Sequence, residues 1–262
     1  FSTKGGRHLI GLDVSTTSVK LVELQRQQGR LHLKSYGVEP LEPGWVVDKN
    51  IINVEEVGEA IARVVRRSGA GSKEAATAVS GSAVITKVID MEADLSEADR
   101  EAQIRLDAEQ YIPYPLSEVN MDFEVLGPST QNGLVRVLLA ASRSENVDQR
   151  VETLAIGGLT TKVMDIESYA IERTFSLMML DNLPHNPKVV ALIDIGHKQT
   201  TLYIAKDGEF IYNREQSFGG EQLTEAIQNH YGMPYHDATI GKHEYTLAPD
   251  YRENVLMPFI EN

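Results

Sequence analysis

An apolar run that ends in an aspartate and turns straight back on itself occurs twice in this chain, and that duplication restricts the possible folds more than any other feature. The first copy lies between His8 and Leu24, HLIGLDVSTTSVKLVEL. Leu9–Val14 carries β-branched residues, and Val19, Leu21 and Glu23 alternate with Lys20, Val22 and Leu24. Two strands therefore flank a turn of hydroxyls at Ser15–Ser18. Backbone N–H groups on such a bend point outward without ladder partners. With Ser15, Thr17 and Ser18 they make a concave anion site, beside which Asp13 can hold a hydrated Mg2+ and Lys20 can add charge. A hydroxyl-rich turn is also an ordinary connection between strands, so one copy alone decides little.

The second copy, VVALIDIGHKQTTLYIA from Val189 to Ala205, changes that. With Asp13 laid on Asp194, Ser15 falls on Gly196, Val19 on Thr200, Lys20 on Thr201 and Leu21 on Leu202. Each copy continues into a third strand, Leu31–Val38 after the turn at Gln27–Gly29 and Glu209–Glu215 after Asp207-Gly208. The chain thus contains an internally repeated three-strand meander. Two such turns facing each other would clamp one polyphosphate, each offering an aspartate to a shared metal.

The 262 residues suffice for two domains, and 42% hydrophobic with 24% charged residues is ordinary for a globular protein. No window approaches ~18 uninterrupted apolar residues, the start FSTKGGRHLI lacks the apolar core of a secretion signal, and the first residue, Phe1, suggests a fragment. The absence of cysteine removes disulfides, thiolate metal sites and cysteine nucleophiles, and a cytoplasmic location is the simplest reading. A formal charge of −13 argues against nucleic acid, since the one dense basic cluster, Arg63, Arg66 and Arg67, reads as a solvated helix face. An acidic surface suits a basic peptide instead.

In order, Asn53 is placed to cap a helix over Val54–Ser68 that Gly69 ends, and Ala75–Ser80 reads as a buried strand. From Gly81 a β-α-β-β-α order follows: Val84–Met91, a helix from Ser96 to Tyr111, Val119–Val125, Leu134–Ala141 and a helix over Ser144–Ile156. This compact module interrupts the first domain. Its segment Gln110–Leu116, with Tyr111, Ile112 and Tyr114 between prolines, is either a rigid packed corner or an apolar docking edge, and such segments more often bury themselves. Tyr169–Leu180 reads as a helix whose face of Ile171, Phe175, Met178 and Met179 is core. Leu183–Lys188, with Pro184 and Pro187, reads as a hinge. Gly219 and Gly220, opening a helix that runs to Tyr231, are candidates to lie near a nucleotide sugar or its phosphates.

Paired βββαβα halves with acid-tipped hairpins resemble the actin-like (ribonuclease H-like) nucleotide-binding superfamily. DVSTTSVK (Asp13–Lys20) looks like its first phosphate motif and DIGHKQTT (Asp194–Thr201) like its second. The inserted module resembles the relocated subdomain of the FtsA cell-division ATPases. More specifically, IGLDVSTTSVKLVEL, AVSGSAVITKVI, EQYIPYPLSEV, LLAAS, DIGHKQTTLYIA and FGGEQLT are similar to the PilM family of type IV pilus assembly proteins, over essentially Leu9–Gly232. The resemblance implies an α/β fold of duplicated actin-like domains: 1–80 with 160–186, a module inserted at 81–159, and a C-terminally incomplete second domain at 187–262.

It further implies a cytoplasmic ATP- or ADP-binding scaffold, at most a weak ATPase, in the inner-membrane platform of the pilus machine. Its expected partners are the N-terminal cytoplasmic peptide of the membrane protein PilN, in a groove bordered by the insert, and other platform proteins and the motor, so that it meets the membrane only through partners. Carried over by motif, Asp13, Ser15, Thr17, Ser18 and Lys20 would face phosphates from one side and Asp194, Gly196, Thr200 and Thr201 from the other. Glu167, in DIESYA, falls where the superfamily often has an acid near Mg2+, and equally reads as a solvent-facing residue at a helix start. Tyr111, Ile112 and Tyr114 are the candidate edge of the peptide groove. Family members continue into a Gly-rich adenosine motif, so a chain ending at Asn262 is expected to hold nucleotide weakly or not at all. Two alternatives share the hairpins. A sugar-kinase-type phosphotransferase requires a carboxylate base, for which the sequence shows no convincing candidate, and a membrane-tethered filament protein requires an amphipathic anchor.

Overall fold

The computed structural model describes residues 8–185 and 187–261, and the chain divides into two compact units, one ending at Ile171 and the other beginning at Glu172. In the first unit the hydroxyl turn separates β1 (Ile10–Val14) from β2 (Ser18–Gln27), and β3 (Arg30–Pro40) completes the meander. The connecting turn holds Gln28 and Gly29 at φ of 51° and 81°, the doubly positive geometry that matches strand twist in two-residue hairpins. A second tight turn joins β4 (Val46–Val47) to β5 (Asn50–Ile51). Then follow α1 (Val54–Ser68) and β6 (Glu74–Val79). The side chain of Asn53 accepts the Glu56 amide, and Gly69, at φ 67°, closes α1 in the left-handed conformation that glycine tolerates best.

The module beyond β6 is built from β7 (Val84–Glu92), α2 (Glu97–Asp107), β8 (Val119–Pro128), β9 (Leu134–Arg143) and α3 (Ser144–Ile156). Its sheet runs β7-β9-β8, antiparallel throughout, with α2 over one face through Met91, Ile104, Val137 and Leu139. Then β10 (Thr160–Ile166) returns to the main sheet, whose order is β10-β6-β1-β2-β3, with β10, β6 and β1 parallel.

The core of the first unit lies between that sheet and the helices α1 and α3. Alternate residues Ile10, Leu12, Val19 and Leu21 bury against Val57, Ile61 and Val64 of α1 and Leu154 of α3. The two helices touch at glycines: a methyl at Gly58 would fall 2.5 Å from Ile156 Cγ2, and one at Gly157 would collide with Ile61. One carboxylate is entirely enclosed on the sheet side. Glu23 accepts hydrogen bonds from the Gly71 amide at 3.0 Å, Lys34 Nζ at 3.1 Å and Ser35 Oγ at 3.3 Å. Burial pushes its carboxyl up, but these donors outweigh it and the net shift is below the ordinary value.

In the second unit β11 (Val189–Ile195), β12 (Thr200–Lys206) and β13 (Glu209–Gln216) repeat the meander, and α5 (Gly220–Tyr231) and α6 (Tyr235–Glu244) follow. The repetition reaches fine detail. Asp13 pairs with Lys20 and Asp194 with Thr201, and the ladder between second and third strands shifts register at Glu23/Leu24 in one copy and at the equivalent Ile204/Ala205 in the other.

One expectation fails here. The helix α4 (Glu167–Thr174), which contains the division between the units, passes into a π turn at Phe175–Met179. The wider turn rotates the apolar stripe out of phase. Phe175 buries and lies 6.2 Å from the Phe210 ring, while Met178 and Met179 are exposed rather than core. The segment Leu183–Lys188 contains residue 186, which lies outside the described residues.

Two outcomes follow from this packing. Gly58→Ala lowers stability by about 1–3 kcal/mol through overpacking, read as a lower urea midpoint at unchanged slope, whereas Gly11→Ala, with only a 3.7 Å contact to meet, stays within about 0.5 kcal/mol. Because Glu23 titrates below its unfolded value near 4.5, its contribution is complete above that pH and disappears as pH falls through the folded value. The stability gap between wild type and Glu23→Gln is therefore about 1–3 kcal/mol at pH 7 and closes on acidification.

Candidate functional site

Parallel strands offer ligands their carboxyl ends, and the acids of the first unit collect there. Asp13 is the penultimate residue of β1, and Glu167 follows the last residue of β10, with β6 between the two strands. Beyond Asp13 the turn is closed by the Ser15 amide on the Ser18 carbonyl at 3.0 Å, and the Ser15 hydroxyl donates to the same carbonyl at 3.0 Å. Among the described residues the Thr16 and Thr17 amides meet no backbone acceptor, so the bend retains outward donors of the kind an anion binds. Thr17 and Lys20 are exposed, whereas Ser18 is buried and supports the turn from beneath. Lys20 Nζ donates to Asp13 Oδ2 at 2.9 Å, directly across the ladder.

Glu167 receives Lys49 Nζ at 2.9 Å, so it is neither a free acid nor a plain solvent-facing one. Beside this pair stands Arg150 of α3, which the sequence reading missed. Its guanidinium is buried and donates to three carbonyls: Ala78 at 3.0 Å, Asn146 at 3.2 Å and Lys49 at 2.8 Å. Burial pulls its pKa below the usual range, and the charges of Glu167 and Asp13 act in the opposite direction. A lone arginine among the polar residues of Ser144–Ile156 carries no sequence signal that separates it from a surface one.

In the second unit Asp194 is the exposed penultimate residue of β11, and the Gly196 amide closes the turn on the Gln199 carbonyl at 2.9 Å, as at Ser15. Thr200 Oγ1 donates to the Phe218 carbonyl at 2.7 Å, and Thr201 is buried beneath the hairpin. The glycine turn is pressed onto this hairpin. A Cβ at Gly219 would fall 2.5 Å from the Gly196 carbonyl oxygen. The Gly219 amide donates to Gln222 Oε1 at 2.8 Å, the Gly220 amide to the Gly196 carbonyl at 3.0 Å and the Glu221 amide to the His197 carbonyl at 2.8 Å. These glycines therefore serve close approach, and their amides are already satisfied instead of being presented to a phosphate.

Lys242 of α6, also missed in the sequence, donates to the Gly220 carbonyl at 2.8 Å and Thr224 Oγ1 at 2.7 Å, and burial lowers its pKa. His197 lies 3.2 Å from the Tyr235 hydroxyl, and burial lowers its pKa against the pull of Glu221.

In the inserted module Ile112 is buried with Ala108 and Ala141, and Tyr111 packs against the same core. The packed-corner reading describes both, and Ile112 is not available to a partner. Tyr114 is the exposed member, its ring covered by the Arg143 guanidinium at 4.3 Å. The face of this sheet away from α2 presents Val88, Leu138 and Ala140, with Asp90, Asp122, Glu124 and Arg136 around them.

The residues of both hairpins fit a phosphate-bearing ligand better than a bare ion. Among the described residues no three His, Cys, Asp or Glu side chains gather as a metal cage. Hydroxyls, open amides and lysines beside single carboxylates suit phosphates with a hydrated cation. Asp13 and Glu167 stand in the first unit and Asp194 in the second.

A family model described as type IV pilus assembly protein PilM matches residues 11–262. A solved structure described as a PilM-PilN type IV pilus biogenesis complex is similar at 27% identity and a TM-score of 0.73, over 97% of this chain and 74% of that one. The ethanolamine utilization protein EutJ from Carboxydothermus hydrogenoformans is similar in fold, at 14% identity and a TM-score of 0.56, over 95% of this chain and 66% of that one. The paired meanders, the interrupting module and this match agree: the fold is actin-like, and the chain belongs to the PilM family of type IV pilus assembly proteins.

Proposed function

We propose that this chain is a nucleotide-binding adaptor of the type IV pilus assembly platform, which holds the basic N-terminal peptide of PilN at the inner membrane. The observation that carries the reading is the family match over 11–262, together with likeness to a PilM-PilN complex. Its chemistry is consistent. A formal charge of −13 and an apolar strip bordered by three acids, Asp90, Asp122 and Glu124, against one arginine, Arg136, suit a partner that is both basic and apolar. Tyr114 stands at the edge of that module as an aromatic anchor. Among the described residues no helix is long and apolar enough to cross a membrane, so attachment through a partner fits this reading.

Nucleotide is the second part of the proposal. Asp13, Ser15, Thr17 and Lys20 on one hairpin and Asp194, Gly196 and Thr200 on the other each provide an anion cradle with an acid for Mg2+, and both serve ATP or ADP. Glu167 is the further acid of the cation site. A bound nucleotide would supply charge that the hairpins organise around, and the chain's own contribution is to bind and orient it.

Calorimetry of the full-length protein with the PilN N-terminal peptide is expected to show saturable binding, weakened about tenfold by Tyr114→Ala. A flat titration overturns the adaptor reading. For the nucleotide, Asp13→Ala and Asp194→Ala each weaken Mg-ATP binding by about tenfold or more, measured with a fluorescent analogue. Unchanged affinity in both variants removes the cradles from the account.

A further inference from the structure

The residue that joins the acid end of the first cradle to the inserted module is Lys49. It occupies the two-residue turn between β4 and β5, where Asp48 and Lys49 take φ of 48° and 64°. Two consecutive non-glycine residues in the left-handed region are a strained arrangement that persists only when the surroundings hold it. Here Lys49 is held through both its backbone carbonyl and its side-chain ammonium. The Lys49 carbonyl accepts Arg150 Nη2 at 2.8 Å, and Lys49 Nζ donates to Glu167 Oε2 at 2.9 Å.

Arg150 has little freedom to follow Lys49 passively. Its planar fork is also fixed to Ala78 at the end of β6 and to Asn146 on its own helix. No carboxylate hydrogen-bonds this buried cation among the described residues, and the nearest supporting charges are Glu167 and Asp13. The contacts thus run unbroken from the carboxyl ends of β10 and β6, through the strained turn, into α3. That helix begins directly after β9, the central strand of the inserted sheet.

We propose that Lys49 is a positioning residue that couples the occupancy of the Asp13–Glu167 end of the nucleotide site to the placement of α3, and through it to the inserted module. The proposal rests on the nucleotide and peptide reading given above. The physical basis is competition. Glu167 cannot hold the Lys49 ammonium and the water shell of a bound Mg2+ at full strength together, and incoming phosphates attract the same ammonium. Either event weakens a contact that helps hold a strained turn whose carbonyl is an anchor of Arg150. A ligand shifts a conformational equilibrium only through such a difference in interaction between states.

The test measures the affinity of the full-length protein for the PilN peptide by calorimetry, with and without saturating Mg-ATP. In wild type the two affinities are expected to differ by about fivefold or more. Lys49→Met keeps the backbone carbonyl that Arg150 uses but removes the ion pair with Glu167, so it saturates with each ligand singly while the ratio falls to within about twofold. Lys49→Arg, which keeps a cation at the end of the side chain, restores the wild-type ratio, a rescue that loss of fold would not show. A wild-type ratio of one, or a Lys49→Met ratio equal to that of wild type, overturns the relay while leaving the adaptor reading intact. Failure of the wild type to bind Mg-ATP or the peptide in the single titrations overturns that reading and the relay with it.

Discussion

Gly58 of α1 and Gly157, which caps α3, let those two helices pack against each other in the first unit, and much else depends on that contact. Ile156 packs into the space left by Gly58 and Ile61 into that left by Gly157, so a side chain at either glycine would collide with a branched residue of the other segment. Because α3 is the last element of the interrupting module and Leu154 buries in the core of the main sheet, the module is anchored on the first unit instead of hanging from a pair of loops. The same contact brings Arg150, about two turns back along α3, to the carboxyl ends of the parallel strands.

Those strand ends are where polarity concentrates. The meander places an aspartate at the tip of its first strand because side chains alternate across a strand and the turn begins immediately after. In the first copy the cross-strand partner is a lysine, whose ammonium lies 2.9 Å from Asp13 Oδ2, and in the second copy the partner is the buried Thr201. The register shift between second and third strands falls at the same step in both copies despite diverged side chains. The duplication thus preserves the backbone of the hairpin while its polar residues differ between the two copies.

Local rules made much of this legible in the sequence. Strand alternation, the two-residue turns, the Asn53 and Gly69 caps and the order of elements in the insert all express short-range physics and reappear, although α2 stops at Asp107 short of the expected Tyr111 and β8 runs on to Pro128 beyond Val125. What escaped depends on distance in the chain. Arg150 is distinguished from a surface arginine only by the carbonyls of Lys49 and Ala78, far away in sequence, and Lys242 only by those around Gly220. The exposure of Met178 and Met179 follows from a π turn, which carries no periodic signature and shifts the phase of an otherwise regular stripe. At Gly219 and Gly220 the residue type was informative and the reason was different: the glycines admit a neighbouring turn, while their amides are used internally. Ile112 sits in an aromatic and proline-rich stretch whose composition fits both a corner and a docking edge, and only packing against Ala108 and Ala141 separates the two.

The fastening of α5 to the second hairpin has a mechanical meaning. The first amides of that helix end on the carbonyls of Gly196 and His197, so the turn and the helix move as one piece. With 12 residues in α5, any tilt of the turn is carried along a rod about 18 Å long, and a displacement too small to notice at the tip becomes a visible swing at the far end near Gly232. The second hairpin is thereby the fulcrum of a lever.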